Sequence, residues 1–317
     1  MTFHVLHENP DWFPPFAAAF DAAGADYREW LMIEGAFDLD AIPPEGIYWN
    51  RLSASSHTRG NVWSKDYTRA VLDWLEVHGR RVVSGRHVVE FEVSKVRQLV
   101  ALRAFGIDVP RTIAVIGKSR LVERAATMPI PFITKHNQGG KGLGVRRFDD
   151  LDSFAAFVAS EEFEEPVDGI TLLQEYVQPR LPFITRVETV GFEHVYAITA
   201  DTARGGFQLC PADACELDEH GQPKAAESLF ALRAGFDHPI IDQFTGFARL
   251  HGLEVAGFEF IEAADGRLLT YDVNTNTNYN PDVEQVAPRS GPGEIVKYLQ
   301  RVAAMSTSAV REPVSVA

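Results

Sequence analysis

Cysteine is nearly absent: the 317 residues include two, Cys210 and Cys215. Two thiols cannot build a disulfide framework, so a reducing, cytoplasmic setting is expected and a packed core has to do the stabilising. No uncharged apolar run approaches the roughly 18 residues that a membrane-spanning helix needs. The stretch from Met1 to Phe13 shows no basic leader before an apolar block, so no signal peptide is expected. Lysine is scarce, 7 against 23 arginines, and the net charge is −14. That balance excludes a large basic surface, and with it nucleic acid or an anionic membrane as an expected partner. The ten histidines show no metal-ligand spacing and the cysteine pair has no second pair, which argues against zinc. No Gly-x-Ser-x-Gly and no Walker A sequence occurs.

What is present is ordinary globular composition, 45% hydrophobic and 23% charged, in a length that suits two or three intimate domains. Apolar runs at Phe3–Leu6, Leu31–Ile33, Ile47–Trp49 and Arg81–Val83 predict strands, with helices over Phe13–Ala23 and Tyr67–Val77 between them. That alternation predicts an α/β unit with a mainly parallel sheet. A helix opens near Val93 and stops at Gly106, before Pro110. Strand, helix, strand, glycine loop and strand follow up to Arg147, and a helix covers Leu151–Ser160. Ile170–Ala200 reads as strands, Ile241–His251 as a helix, Val255–Ile261 and Leu268–Asn274 as strands, and Gly293–Ala303 as a closing helix. The expected division is 1–92, 93–170, 171–305 and a flexible tail at 306–317.

Asp265-Gly266 between two strand-like runs is a strong hairpin signal, because a type I′ turn needs positive φ at both central residues. A two-residue loop sets Glu259 opposite Asp272, with Asn274 on the same face. Phe258, Phe260, Tyr271 and Val273 then form the core face. Facing carboxylates repel, so neutralising Asp272 is expected to leave the metal-free protein at least as stable. A hard divalent cation would turn the liability into a site, and a solvated polar face is the other reading. A second segment, Pro131 to Val145, runs from an apolar strand through Lys135 into a loop holding Gly139, Gly140, Lys141 and Gly142, then into another strand. Loop glycines let N–H groups approach an anion closely; by themselves they fit a mobile phosphate-covering hairpin and an ordinary flexible one equally, and Lys135 and Lys141 tip the reading toward phosphate. Gln174-Glu175 ends another strand where it can present main-chain groups to a base edge, or be plain core. Arg186 shares a strand face with Glu188, which fits either a rim ion pair or a clamp on phosphoryl oxygens, and Arg204 is a weaker candidate of the same kind. Asn50-Arg51-Leu52-Ser53 and Arg59 follow an N-terminal strand and could bind an acidic group.

In order, these segments resemble the ATP-grasp superfamily, and most of all RimK-type carboxylate–amine ligases, over about Val93 to Val302. Ser94-Lys95 with Gly106-Ile107-Asp108-Val109-Pro110 is similar to the family's Asp-Lys … Gly-Ile-x-x-Pro entry to its central domain. Ser94 stands where Asp is usual, Asp272 where Glu is usual, and Thr185 where Ile is usual. The resemblance implies an ATP-grasp fold behind a small N-terminal α/β domain. It implies that Lys95 and Lys135 contact ATP phosphates, that Gln174, Glu175 and Val177 line the adenine, and that Arg186 lies near the transferring phosphoryl group. Glu259, Asp272 and Asn274 would hold magnesium, two ions by analogy, with manganese as a substitute. The implied activity joins a small carboxylate to an amine through an acylphosphate, releasing ADP and phosphate. A kinase acting on a hydroxyl and a nucleotide-binding regulator that does not turn over are the alternatives. Relatives of this kind are often oligomeric, so a homo-oligomer is an open expectation.

Overall fold

A run with apolar residues on both faces, Phe3 and Val5 on one and Leu6 on the other, belongs in a sheet covered on both faces. In the computed structural model, which describes residues 1–140, 142, 144–205 and 228–309, that run is β1 (Phe3–His7), buried throughout. It is followed by α1 (Pro14–Ala22), β2 (Tyr27–Leu31), β3 (Ile47–Asn50), α2 (Ser64–Val77) and β4 (Arg81–Val83). The four strands form a parallel sheet in the order β2-β1-β3-β4. The helices bury Phe16 and Phe20, and Val71, Leu72 and Leu75. β2 lies four residues before the expected Leu31–Ile33. It is an edge strand with an exposed face, so it reads as polar, while Met32 reaches the core from the turn that follows.

Two helices lead out of this layer, α3 (Arg86–Glu92) and α4 (Lys95–Phe105). Ser94 caps α4 by accepting from the Arg97 N–H, and Gly106, at φ 96°, ends it. Then come β5 (Thr112–Ile116), α5 (Leu121–Ala125), β6 (Phe132–His136), β7 (Arg146–Phe148), α6 (Leu151–Ala159) and β8 (Ile170–Glu175). They form an antiparallel sheet ordered β5-β8-β6-β7 over a core of Phe132, Phe148, Phe154 and Leu173. The expected division at 170/171 falls inside β8, whose ladders both lie in this sheet.

The third sheet is antiparallel, β11-β10-β9-β12-β13. Its elements are β9 (Phe183–Val190), β10 (Glu193–Asp201), α7 (Thr202–Gly205), β11 (Phe230–Leu232), α8 (Ile240–His251), β12 (Val255–Glu262) and β13 (Leu268–Asn274), followed by α9 (Pro281–Val286) and α10 (Gly291–Ala309). One face, with Val187, Phe258, Phe260 and Val273, packs on α8 and α4. The Phe244 and Phe258 rings stack there at 4.6 Å. α10 outruns the expected Gly293–Ala303 and takes in the first four residues of the expected tail; the remainder of that tail lies outside the described residues. It packs on α1, β3 and β9, joining the first sheet to the third.

Candidate active site

The β12–β13 hairpin sets Glu259 opposite Asp272 and Gly257 opposite Asn274, the expected register, but by a different route. The Ala263 N–H donates to the Arg267 carbonyl (2.8 Å), so the loop has three residues, Ala264 to Gly266, with Gly266 at φ 90°. That one-residue shift is undone by a bulge between Thr270 and Asp272. The bulge corrects the expectation for Tyr271. It turns the side chain out of the core face and into the cleft, where the hydroxyl donates to Glu259 Oε2 at 2.9 Å.

Pairing of β12 with β9 extends this row, so Arg186, Glu259 and Asp272 stand side by side, and Glu188, Gly257 and Asn274 form the next row. Arg186 is buried rather than on a rim. Its Nε donates to Glu188 Oε1 (2.6 Å) and its Nη1 to Glu259 Oε1 (3.3 Å). A Cβ on Gly257 would lie 2.6 Å from Nε and 2.9 Å from Cζ, so the guanidinium lies flat on the glycine. A glycine inside a strand signals such a close approach, and Gly257 is the one site residue here that the pattern could have flagged. Burial pushes Glu188 up to about 7 against the pull of Arg186. Burial also opposes the Arg186 charge, yet Glu188 and Glu259 hold the guanidinium above its ordinary value. The 2.6 Å contact decides for an ionised pair.

The lysines reach the row from two other elements. Lys95, first residue of α4, donates to Asp272 Oδ1 at 2.6 Å. Lys135, near the end of β6, donates to the Tyr271 carbonyl at 3.4 Å, with its ammonium 5.2 Å from the Tyr271 ring centroid. Burial lowers Lys135 to about 8, and the neighbouring Lys95 adds to it. Burial raises Glu259, whereas for Asp272 it is outweighed by Lys95 and Lys135, which hold that carboxyl low. The carboxylates therefore do not confront each other bare, and the expectation that neutralising Asp272 is harmless to the metal-free fold gives way. Gln98, one turn along α4, donates to the Val273 carbonyl (2.8 Å) and accepts from the Val273 N–H (3.1 Å). It clamps the main chain between Asp272 and Asn274. No sequence signal marks this glutamine.

The cavity over these rows measures about 730 Å³. Lys95, Lys135, Gly139, Gly140, Gly142, Gln174, Glu175, Val177, Arg186, Glu259, Asp272 and Asn274 all line it. Lys141 lies outside the described residues. Arg204 belongs to α7, whose first residues Thr202 and Ala203 line the cavity. At the end of β8, Gln174 donates to Thr112 Oγ1 (2.9 Å), and Glu175 Oε1 accepts from the Arg111 N–H (3.0 Å). Val177 packs with Ala263 and Leu269. Arg51 and Arg59 do not line the cavity. Arg51 bonds the Thr277 carbonyl (3.3 Å) and Asn278 Oδ1 (3.0 Å), and Arg59 pairs with Glu8.

Glu259, Asp272 and Asn274 offer two carboxylates and an amide oxygen, the donor set of a hard cation. Among the described residues no group of three His, Cys, Asp or Glu side chains gathers, so a third protein oxygen for a cation here would come from the Asn274 amide. Its Nδ2 donates to Glu259 Oε1 (3.1 Å) in the metal-free site, and turning the amide over would bring its oxygen to the place where a cation shared with Glu259 would sit. The set fits magnesium.

No family model and no curated protein matches this sequence. Solved structures do. A RimK domain ATP-grasp protein from Sphaerobacter thermophilus superposes with a TM-score of 0.66 at 15% identity, covering 94% of this chain and 99% of the other. D-cycloserine synthetase DcsG gives 0.65 at 17% identity over 95% and 100%. The ATP-grasp ligase PsnB, complexed with a minimal precursor, Mg and ADP, gives 0.62 at 17% identity over 94% and 96%. The likeness is one of fold. Among the described residues, no helix is long and apolar enough to cross a membrane.

Proposed function

We propose that this chain, which has the ATP-grasp fold, is an ATP-dependent carboxylate–amine ligase. The observation that supports this reading best is the single row Arg186–Glu259–Asp272, with Lys95 and Lys135 converging on it in one cavity. A carboxylate oxygen of the acid attacks the γ-phosphorus, and the bond to the ADP oxygen breaks. The amine nitrogen then attacks the acyl carbon, phosphate leaves with its bonding pair, and the nitrogen gives up a proton.

The protein's part is positioning and charge stabilisation. Lys95 exchanges Asp272 for a phosphate oxygen, and Lys135 holds a second one. The N–H groups of the Gly139–Gly140 stretch approach from above. Glu259, Asp272 and Asn274 hold magnesium, which neutralises the phosphate charge when bound. Arg186, held flat on Gly257 by two carboxylates, stabilises the charge on the acylphosphate and on the tetrahedral oxyanion that follows. The test is ADP release over pairs of acids and amines, with mass spectrometry of the product. Release that needs both partners and yields an amide supports ligation. Release with an alcohol alone assigns a kinase, and tight ATP binding without release on any pool assigns a regulator.

A further inference from the structure

Glu92, the last residue of α3, lines the cavity and accepts four hydrogen bonds. Oε1 takes the Ala54 N–H at 3.0 Å. Oε2 takes the Thr275 N–H (2.8 Å), the Thr275 hydroxyl (2.9 Å) and the Asn276 N–H (3.2 Å). Three main-chain donors from two distant segments thus converge on one carboxylate, as they would on a bound anion.

Both segments face the cavity. One is the Ser53–Ser55 turn, the other the asparagine run that leaves β13 with Asn276 and Asn278. The segment that follows β8 meets the opposite end of the hairpin, where the Ala264 N–H donates to the Gln178 carbonyl (3.0 Å) and the Arg180 N–H to the Glu262 carbonyl (2.8 Å). The adenine end and the Glu92 end therefore lie at opposite ends of β13, with the metal set between. The turn is also tied to the glycine loop: Gln138 Nε2 donates to the Ala54 carbonyl at 3.4 Å, and Lys65 holds Gln138 Oε1 at 3.0 Å.

We infer that Glu92 is a positioning residue that builds the substrate wall of the cleft, joining the Ser53–Ser55 turn to Thr275–Asn276 so that their hydroxyls and amides receive a small, amino-acid-sized acid or amine. This rests on the ligase reading. Truncating Glu92 to Ala removes one acetate's worth of atoms and leaves the donors aimed at an acetate-shaped hole.

In Glu92→Ala, the amide protons of Ala54, Thr275 and Asn276 should exchange faster than in the parent. Acetate at tens of millimolar should restore their protection and raise the melting temperature, whereas sodium chloride at equal ionic strength should not, and the parent should not respond. With a mixed amino-acid pool, the KM for amino acids should rise about tenfold or more, kcat and Mg-ADP affinity should stay within about threefold, and acetate should reverse the rise. Glu92→Gln should resist rescue, because its NH₂ confronts an N–H whichever way it turns. Should Glu92→Ala fail to fold, Glu92→Asp, which withdraws the carboxylate by one methylene, should show the same KM pattern more weakly. An acetate-insensitive exchange and melt, or a parallel loss of ATP and amino-acid affinity, overturns the inference. If the parent joins no acid to any amine, the ligase reading falls while the exchange experiment still decides the role of Glu92.

Discussion

Two hairpins line the cleft and present different parts of the chain to it. β12–β13 has a three-residue turn, a bulge and carboxylates that stand in register, so its chemistry lies in side chains. β6–β7 spans residues 137–145 between its strands, and Gly142 (φ 72°) and Gly144 (φ 69°) adopt backbone that favours glycine. In the proposed site it would contribute main-chain N–H groups together with Lys135. A side-chain site survives only if the register survives, since a one-residue slip moves every ligand to the other face. A main-chain site depends on φ values instead, and tolerates almost any side chain that can adopt them.

The largest effect expected from breaking the first hairpin's arrangement is Arg186→Lys. A point charge replaces the fork that grips Glu188 and Glu259, and kcat should fall by about 10²–10³ with ATP affinity nearly unchanged. An equal loss of ATP affinity, measured by calorimetry, would place Arg186 in ground-state binding. Next is Asp272→Asn. The stabilisation by Mg-ATP, roughly 2.7 kcal/mol at 100 times Kd, should largely vanish from thermal melts. The ligand-free protein should melt lower as well, because Lys95 loses its 2.6 Å partner. An unchanged or higher melting temperature would restore the picture of bare carboxylate repulsion. Gly257→Ala should follow, at about 1–3 kcal/mol of stability plus a drop in kcat, as the new methyl displaces the guanidinium.

The second hairpin gives smaller and differently signed effects. Lys135, lowered to about 8, is neutral in the fold where the unfolded chain still binds its proton. Its contribution to folding stability therefore rises with pH between about 8 and about 10.5. Affinity for nucleotide should fall over that interval, because the phosphates need the ammonium. A titration of Mg-ADP affinity against pH checks this, and Lys135→Arg should flatten the curve. The smallest effect is Gly142→Ala, about 1 kcal/mol of local strain. It should raise the KM for ATP a fewfold, with little change in the melting temperature.

The same contrast explains what could be read from the sequence. Strand alternation and the Asp265-Gly266 turn placed Glu259 against Asp272, yet both the turn length and the side on which Tyr271 lies differ, because a bulge leaves no trace in a pattern of period two. The parallel N-terminal sheet followed from its apolar runs, while polar β2 was misplaced because an edge strand shows water one face. Lys95, Lys135 and Arg186 stood out by position. Gln98, Glu92 and the Lys95–Asp272 contact did not, since each joins parts of the chain that only packing brings together.

The Gln98 clamp has one more consequence. β13 ends the order of its sheet and would offer a row of open N–H and C=O groups to any other extended chain. Gln98 takes both polar groups of Val273, and the Asp108 carbonyl takes the Thr270 N–H at 2.9 Å. One amide side chain and one loop carbonyl thus imitate a sixth strand. At Thr270 and Val273, on either side of Asp272, the edge is therefore closed to β-addition, and an extended chain arriving from a crowded solution meets no continuous ladder along this strand.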